Sequence, residues 1–369
     1  MVGVLYAGLP RVGKSSAVAV QTVSNLKKDI AYDGSSSYLH RHSAGDPKIS
    51  HSPVAKSIHV TMYRDWRGRT IILDAPGLID NRNKAYKLWS NFSLETSYAL
   101  AENIKATSVV IHYTSSFAPG ANADTFRDLA VALLAGSGPE DTKAFCDNLC
   151  LLFTHVPSYS KLDGIVRRLE DVYVSFLKEH CNILEDLTRR YPATNHTGAR
   201  LLSAAQKHIG NAMAAVSGVA HYEVEDLRGK IERRRGRINF EHERLQDDPQ
   251  LITLERVNAS IVLLETILHA AKTKRVVLSK PDDEKGCQKQ RLEMEAAYRA
   301  CRPLCRSVLR RMAASRRLPS YEVYEILEHL ARQMNTKLET FNRAMSTFLE
   351  SASKKDQVIR AISDDWRAY

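Results

Sequence analysis

Hydrophobic residues in the first half of the chain occur in short runs, each bounded by polar or glycine-containing segments. Such runs indicate buried strands, and the amphipathic stretches between them indicate helices. Alternating strands and helices predict an α/β fold whose mostly parallel sheet is covered by helices on both faces. The predicted strands lie at residues 2–7, 57–63, 69–74, 107–113 and 148–154, with a last one starting near residue 190. The first helix is predicted to end near residues 27–29, and residues 94–106 are predicted to form another helix.

The pattern changes near residue 216, after which no strand pattern is found. Apolar positions recur at spacings of three and four in residues 251–271 and again in residues 323–348. Spacing of this kind predicts an all-α helical bundle or coiled coil. We therefore expect two domains, one spanning residues 1–215 and a helical one spanning residues 216–369.

The first predicted strand opens directly onto a glycine-rich loop of the form G-x-x-x-x-G-K-S, and a helical stretch follows. This is the phosphate-binding loop of P-loop nucleotide hydrolases in its expected setting. Glycines let backbone N–H groups wrap around phosphate oxygens, Lys14 reaches the β- and γ-phosphates, and the Ser15 hydroxyl ligates Mg²⁺. The predicted phosphate-binding residues are Gly8, Leu9, Pro10, Arg11, Val12, Gly13, Lys14, Ser15 and Ser16.

A second motif follows the strand predicted at residues 69–74, where Asp74 is followed after two residues by Gly77. A carboxylate at a strand end can hold Mg²⁺, and a glycine amide can contact the γ-phosphate. We therefore predict Ser15 and Asp74 as the metal ligands and Gly77 as a nucleotide contact.

Four stretches of the first half resemble the septin-related branch of the TRAFAC GTPases, and within it the immune-associated GIMAP type. They are residues 8–16, 65–80, 148–155 and 190–196. The resemblance covers roughly residues 1–215. It implies GTP binding, a Mg²⁺ ion, and nucleotide-controlled association of two nucleotide domains into a homodimer or larger homo-oligomer.

The same resemblance implies a base pocket made by Thr154, His155 and Asn195. In guanine-specific proteins of this class a carboxylate usually accepts hydrogen bonds from the base, and Pro157 occupies that position here. The choice between guanine and adenine therefore stays open.

Arg11 and Lys14 are the predicted catalytic residues. Guanylate-binding proteins of the dynamin superfamily carry a similar arginine in this loop, where it acts as an arginine finger in their dimers; an exposed arginine that pairs only with phosphate or solvent is the alternative. Arg82 is a second candidate for the finger. Since no glutamine follows Gly77, we expect slow hydrolysis. Candidates for the hydroxyl that closes over the γ-phosphate are Ser50, Ser52 and Ser57.

Composition narrows the remaining choices. The net charge of +11 is spread over both halves, and the basic runs at residues 228–237 and 299–317 fit solvated helix faces better than a nucleic-acid stripe. Six cysteines do not make a disulfide framework. Without a membrane-spanning run or a recognisable leader, we expect a cytoplasmic protein.

Four functions remain open from the sequence. The preferred one is a GTP-binding assembly switch with slow, dimerisation-dependent hydrolysis. The others are a non-hydrolysing, nucleotide-bound scaffold whose helical half binds protein partners, an ATP-binding protein, and a module that binds nucleic acid or a membrane surface.

Overall fold

The computed structural model describes most of the chain between residues 2 and 316. The described residues are 2–10, 12–22, 27–30, 36–39, 60–78, 84–117, 122–134, 138–193, 216, 218–279, 284–316, 323, 325 and 327–328.

Two sheets are formed in the described part of the chain. The larger one has seven strands, and β2 and β3 form a separate antiparallel pair. The strands are β1 (Val2–Ala7), β2 (Lys27–Ile30), β3 (Ser36–Leu39), β4 (Thr61–Arg64), β5 (Ile71–Asp74), β6 (Asn103–His112), β7 (Leu149–Thr154), β8 (Val276–Leu278) and β9 (Leu304–Cys305).

Helices connect and flank these strands. They are α1 (Lys14–Thr22), α2 (Lys84–Leu100), α3 (Tyr113–Phe117), α4 (Asn122–Leu134), α5 (Pro139–Asn148), α6 (Leu162–Arg190), α7 (Gly218–Arg235), α8 (Glu243–Gln246), α9 (Pro249–Lys272), α10 (Glu284–Ala300) and α11 (Arg306–Ser315).

The larger sheet is parallel through its centre. Its order is β4-β5-β1-β6-β7-β8, and β1 pairs in parallel with both β5 and β6. The β6–β7 and β7–β8 pairs are parallel too, whereas β4 is an antiparallel edge strand and β9 pairs antiparallel with the start of β6. The carboxyl ends of β5, β1, β6, β7 and β8 therefore meet along one edge, where α/β proteins bind their ligands.

Each face of this sheet packs against its own hydrophobic core. Helices α1 and α10 cover one face, where Val18 and Met294 pack with Tyr6 of the central strand. The other face carries the larger core, to which α2, α4, α6, α9 and α11 contribute buried side chains. The predicted α/β class with a mostly parallel, helix-covered sheet is confirmed.

Residues after 216 contribute strands to this same sheet, so the prediction that strand structure ends there is wrong. Strand β8 extends the sheet beyond β7, and β9 pairs with the start of β6. Both are too short to give a strand pattern in the sequence, and they are held by pairing with strands that are distant along the chain. A separate helical bundle is not seen in the described residues, and the helical pattern of residues 323–348 lies mostly outside them.

Three predicted element boundaries are also corrected. The first helix ends at Thr22 instead of continuing towards Asp29, because residues 27–30 pair with residues 36–39 as strands. Residues 103–106, predicted as the end of a helix, begin β6 because they pair with β1. Arg190 belongs to α6 and is not the start of a strand.

No helix in the described part of the chain is both long enough and apolar enough to cross a membrane.

Candidate functional site

The glycine-rich loop lies between the central strand β1 and helix α1. Gly8 has φ of +153° and Gly13 has φ of +87°, backbone conformations that favour glycine. A Cβ on Gly8 would lie 2.5 Å from the carbonyl oxygen of Val110 on β6. The backbone of the loop therefore passes so close to the neighbouring strand that only glycine fits at position 8.

Lys14, the first residue of α1, is buried and turned back into this loop. Its Nζ donates hydrogen bonds to the carbonyl oxygens of Gly8 and Leu9, at 3.2 and 2.8 Å. Burial lowers the pKa of the ammonium group to about 8, against an opposing effect of the Asp74 carboxylate. The ammonium group of Lys14 is thus surrounded by backbone carbonyl oxygens of the loop, close to where the Nζ atom could contact a phosphate oxygen.

Asp74 ends strand β5 and lies beside the start of α1. The Ser15 hydroxyl donates a hydrogen bond of 3.0 Å to Asp74 Oδ2. Asp74 Oδ1 is buried and has no hydrogen-bond partner among the described residues. Burial raises the pKa of this carboxyl to about 6, an effect that Lys14 and the Ser15 hydroxyl oppose.

This arrangement fits a divalent cation. A hydroxyl and a carboxylate that already touch present two oxygen ligands, and Mg²⁺ prefers oxygen ligands. The buried Oδ1 atom needs a partner, since an unsatisfied buried polar atom is costly. Ser15 and Asp74 are the residues that would hold such an ion, and the ion would supply positive charge to a bound anion.

The turn after β5 is in direct contact with the glycine-rich loop. Leu78 N–H donates to the carbonyl oxygen of Gly8 at 3.1 Å. A Cβ on Gly77 would lie 2.8 Å from Cγ of Pro10. The two sequence motifs are separated by more than fifty residues along the chain, but their backbones are in direct contact.

The end of β7 approaches the loop from the other side. Thr154 Oγ1 donates to the carbonyl oxygen of Val12 at 2.6 Å. His155 follows with φ of +53°, and its ring stacks on His112 at the end of β6, with ring centroids 4.2 Å apart and an angle of 24° between the planes. Burial lowers the pKa of both imidazoles, and the proximity of His155 adds to the effect on His112.

Strand β8 occupies the position beyond β7 that the sequence assigned to residues 190–196. Residues 190–193 lie at the end of α6, and Pro192 makes only an isolated bridge to Ile238. At the end of β8, Ser279 N–H donates to the carbonyl oxygen of Phe153 at 2.8 Å. The sequence pattern does not indicate Ser279, because the apolar run before it, Val276–Leu278, is too short to predict a strand.

The remaining predicted residues fall into two groups. Val12 is buried, whereas Leu9, Pro10 and Ser16 are partly exposed around the loop. Predictions that lie outside the described residues are those for Arg11, Arg82, Asn195, Ser50, Ser52 and Ser57.

A comparison with models of known protein families found no match for this chain. A search of curated proteins found no similar sequence either. The functional argument therefore depends on the site itself.

The site contains the Lys14 ammonium group, the hydrogen-bonded oxygens of Ser15 and Asp74, and a tight turn of backbone at the carboxyl edge of a parallel sheet. Lys14 supplies positive charge, and the N-terminus of α1 adds partial positive charge through its unpaired N–H groups. Asp74 lies on the β5 side, whereas Thr154 and His155 lie on the β7 side. The two ends of the site therefore differ, with the Ser15–Asp74 oxygen pair at one end and the stacked histidines at the other.

Proposed function

We propose that the protein binds a nucleoside triphosphate together with Mg²⁺ at the loop formed by residues 8–15. The observation that carries this proposal is the contact between Ser15 and Asp74 beside the buried Lys14. Bound Mg²⁺ would neutralise charge on the β- and γ-phosphates. GTP is the nucleotide that the sequence resemblance implies, and it is the first ligand to test.

The proposed role is that of a nucleotide-controlled assembly switch related to septin-type GTPases. Asp74, at the end of the β4–β5 hairpin, and the turn at Gly77 both contact the phosphate loop. A γ-phosphate bound there would therefore touch this segment, and the segment could change its conformation when the γ-phosphate is lost. Association of two nucleotide domains, with Arg11 reaching the partner's phosphates or its own, would accelerate hydrolysis.

Binding is tested by calorimetry on the full chain with Mg–GTP. Lys14→Ala removes the buried ammonium, and we expect affinity to fall by about 100-fold or more because two charge-assisted hydrogen bonds to phosphate are lost. Lys161→Ala changes an exposed lysine that precedes α6 and serves as the matched control. Equal affinity of the Lys14 variant and wild type would refute the proposed phosphate site.

Metal dependence is tested with Asp74→Asn, which keeps the size of the side chain and removes its charge. Wild-type affinity for GTP should fall when EDTA replaces Mg²⁺, whereas the variant should show a much smaller difference. A variant with undiminished Mg²⁺ dependence would exclude Asp74 as a metal ligand.

A second candidate function is a nucleotide-bound scaffold that does not hydrolyse its ligand. The residue after Gly77 is Leu78, which packs against the hydrophobic core and offers no polar group to orient water. Phosphate release measured against protein concentration separates the two functions. A rate that rises with concentration and falls in Arg11→Ala supports the switch, whereas no release over hours supports the scaffold.

A further inference from the structure

Two cysteines that are distant along the chain lie side by side on the face of the sheet that α10 covers. Cys150 belongs to β7, and Cys301 directly follows Ala300, the last residue of α10. Both side chains are part of the hydrophobic core on this face. Their thiol groups are hydrogen-bonded to each other. A covalent bond between the two sulfur atoms would therefore join the two halves of the chain.

Hydrogen bonds fix the backbone on both sides of this thiol pair. The N–H of Arg302 donates to the carbonyl oxygen of Asp147 at 2.9 Å. Asn148 Nδ2 donates to the carbonyl oxygen of Arg302 at 3.0 Å. Arg302 is the residue after Cys301, and Asn148 lies two residues before Cys150. The folded chain thus holds the two cysteines at one junction, so their sulfur atoms are already in contact.

The two thiols differ in reactivity. The hydrogen bond from the Cys150 thiol lowers the pKa of Cys301; burial opposes this effect, and the Arg275 guanidinium adds to it. Burial raises the pKa of Cys150 well above its ordinary value. Cys301 is 8% exposed, whereas Cys150 is 0% exposed. Since the thiolate is the form that attacks an oxidant, Cys301 is the residue that reacts first and Cys150 the one that reacts second.

We propose that hydrogen peroxide converts Cys150 and Cys301 into a reversible disulfide that fixes the end of α10 to β7. The Cys301 thiolate attacks one peroxide oxygen, so that an S–O bond forms and the O–O bond breaks. Hydroxide leaves and takes up the proton that Cys301 has lost, and Cys301 is now a sulfenic acid.

The second step closes the disulfide. The Cys150 sulfur attacks the Cys301 sulfur, an S–S bond forms and the S–O bond breaks. The departing hydroxide takes the proton of the Cys150 thiol. Two thiols are thereby oxidised to one disulfide, and one peroxide molecule is reduced to two water molecules. A dithiol such as dithiothreitol reverses the reaction by thiol–disulfide exchange.

The disulfide ties the surroundings of the glycine-rich loop to the second half of the chain. Strand β7 ends at Thr154, which contacts the loop through the carbonyl oxygen of Val12. Helix α10 packs in the same core as α1. Because the bond closes a long loop, it restricts the unfolded chain and makes the oxidised protein harder to unfold. The disulfide forms whether or not a nucleotide binds, so it does not depend on the proposed function.

The test uses the full chain, reduced and then treated with hydrogen peroxide. Remaining thiols are blocked with iodoacetamide, and peptides are mapped by mass spectrometry without reduction. We expect one cross-linked pair that contains Cys150 and Cys301, and dithiothreitol should restore both thiols. The same treatment in urea should give a lower yield of this pair, because the unfolded chain no longer holds the cysteines together. In urea unfolding without peroxide, the oxidised protein should have a higher midpoint than the reduced protein.

Three variants assign the steps to individual residues. Cys150→Ala removes the second thiol, so Cys301 should stop at the sulfenic acid, which dimedone labels. Cys301→Ser should leave Cys150 reduced and should abolish the shift of the urea midpoint. Cys305→Ser is the matched control, because it removes an exposed cysteine four residues further along the chain. It should form the Cys150–Cys301 disulfide to the same extent as wild type.

Four results on wild type would overturn the inference, so it stays testable even if a variant fails to fold. The first is that iodoacetamide still labels both Cys150 and Cys301 after peroxide treatment. The second is pairing of either residue with a different cysteine, and the third is an equal or higher yield of the pair in urea. The fourth is an oxidised protein that unfolds at the same urea concentration as the reduced one. None of these measurements involves a nucleotide, so their failure leaves the proposed function untouched.

Discussion

Replacing Gly8 with alanine is expected to destabilise the fold by about 2–5 kcal/mol and to abolish nucleotide binding. The φ of +153° at this position disfavours any residue with a Cβ, at a cost of about 1–2 kcal/mol. The added Cβ would also lie 2.5 Å from the carbonyl oxygen of Val110, an atom held in the sheet by the pairing of β6 with its neighbours. Overpacking of this kind costs about 1–3 kcal/mol.

Gly68 provides a matched control for this prediction. Its φ is +69°, and a Cβ there would meet nothing within 4 Å, so Gly68→Ala should cost only the backbone contribution of about 1–2 kcal/mol. Urea unfolding of both full-length variants gives their stabilities, and calorimetry with Mg–GTP gives their affinities. Gly8→Ala should be the less stable and should not bind, whereas Gly68→Ala should bind normally. Equal stability and equal affinity in the two variants would refute the steric account of the loop.

Three further predictions concern stability. Burial, with a smaller effect of Arg235, lowers the pKa of His180 from 6.5 to about 3. As the pH falls, His180 is therefore protonated in the unfolded chain before it is protonated in the folded chain. About 2 kcal/mol of stability is lost in this way between pH 7 and pH 5. His180→Leu should remove that loss from urea unfolding curves at the two pH values. Arg275→Met should destabilise the protein by about 2–3 kcal/mol in the same assay, because the Arg275 guanidinium donates to three carbonyl oxygens within residues 146–149. A fragment of residues 1–215 should fail to show the cooperative unfolding of the full chain, since it lacks β8 and α10.

The elements around the glycine-rich loop could be predicted because the sequence patterns that indicate them are local. An apolar run, a glycine-rich turn and a helical stretch follow one another directly in residues 2–22, and β1 and α1 form there. The hairpin of β4 and β5 is equally local, since its two strands are joined by the turn at Gly68. Each of these elements needs no information from elsewhere in the chain.

The side of the site formed by β7 and β8 could not be predicted in the same way. In the described residues, three long helices separate β7 from β8 along the chain, so the pairing of Leu152 with Val277 joins segments that are distant in sequence. The sequence predicts a strand that starts near residue 190, but α6 continues through Arg190. His155 gave no sign of its backbone conformation, because histidine, unlike glycine, does not signal a positive φ.

The second half of the chain contributes β8 and α10 to the structure around the glycine-rich loop. Helix α10 packs behind it, where the hydroxyl of Tyr298 hydrogen-bonds to that of Tyr6 on β1. The last turn of α1 is held on two sides. Nε of Arg291 in α10 donates to the carbonyl oxygen of Val20, and the backbone N–H of Trp66 in the hairpin donates to the carbonyl oxygen of Gln21. In the proposed function, a displacement of α1 on phosphate binding at its first turn would be passed through these hydrogen bonds to the hairpin and to α10. This connection would give the proposed switch its output. Residues on both sides of position 215 contribute to the same hydrophobic cores.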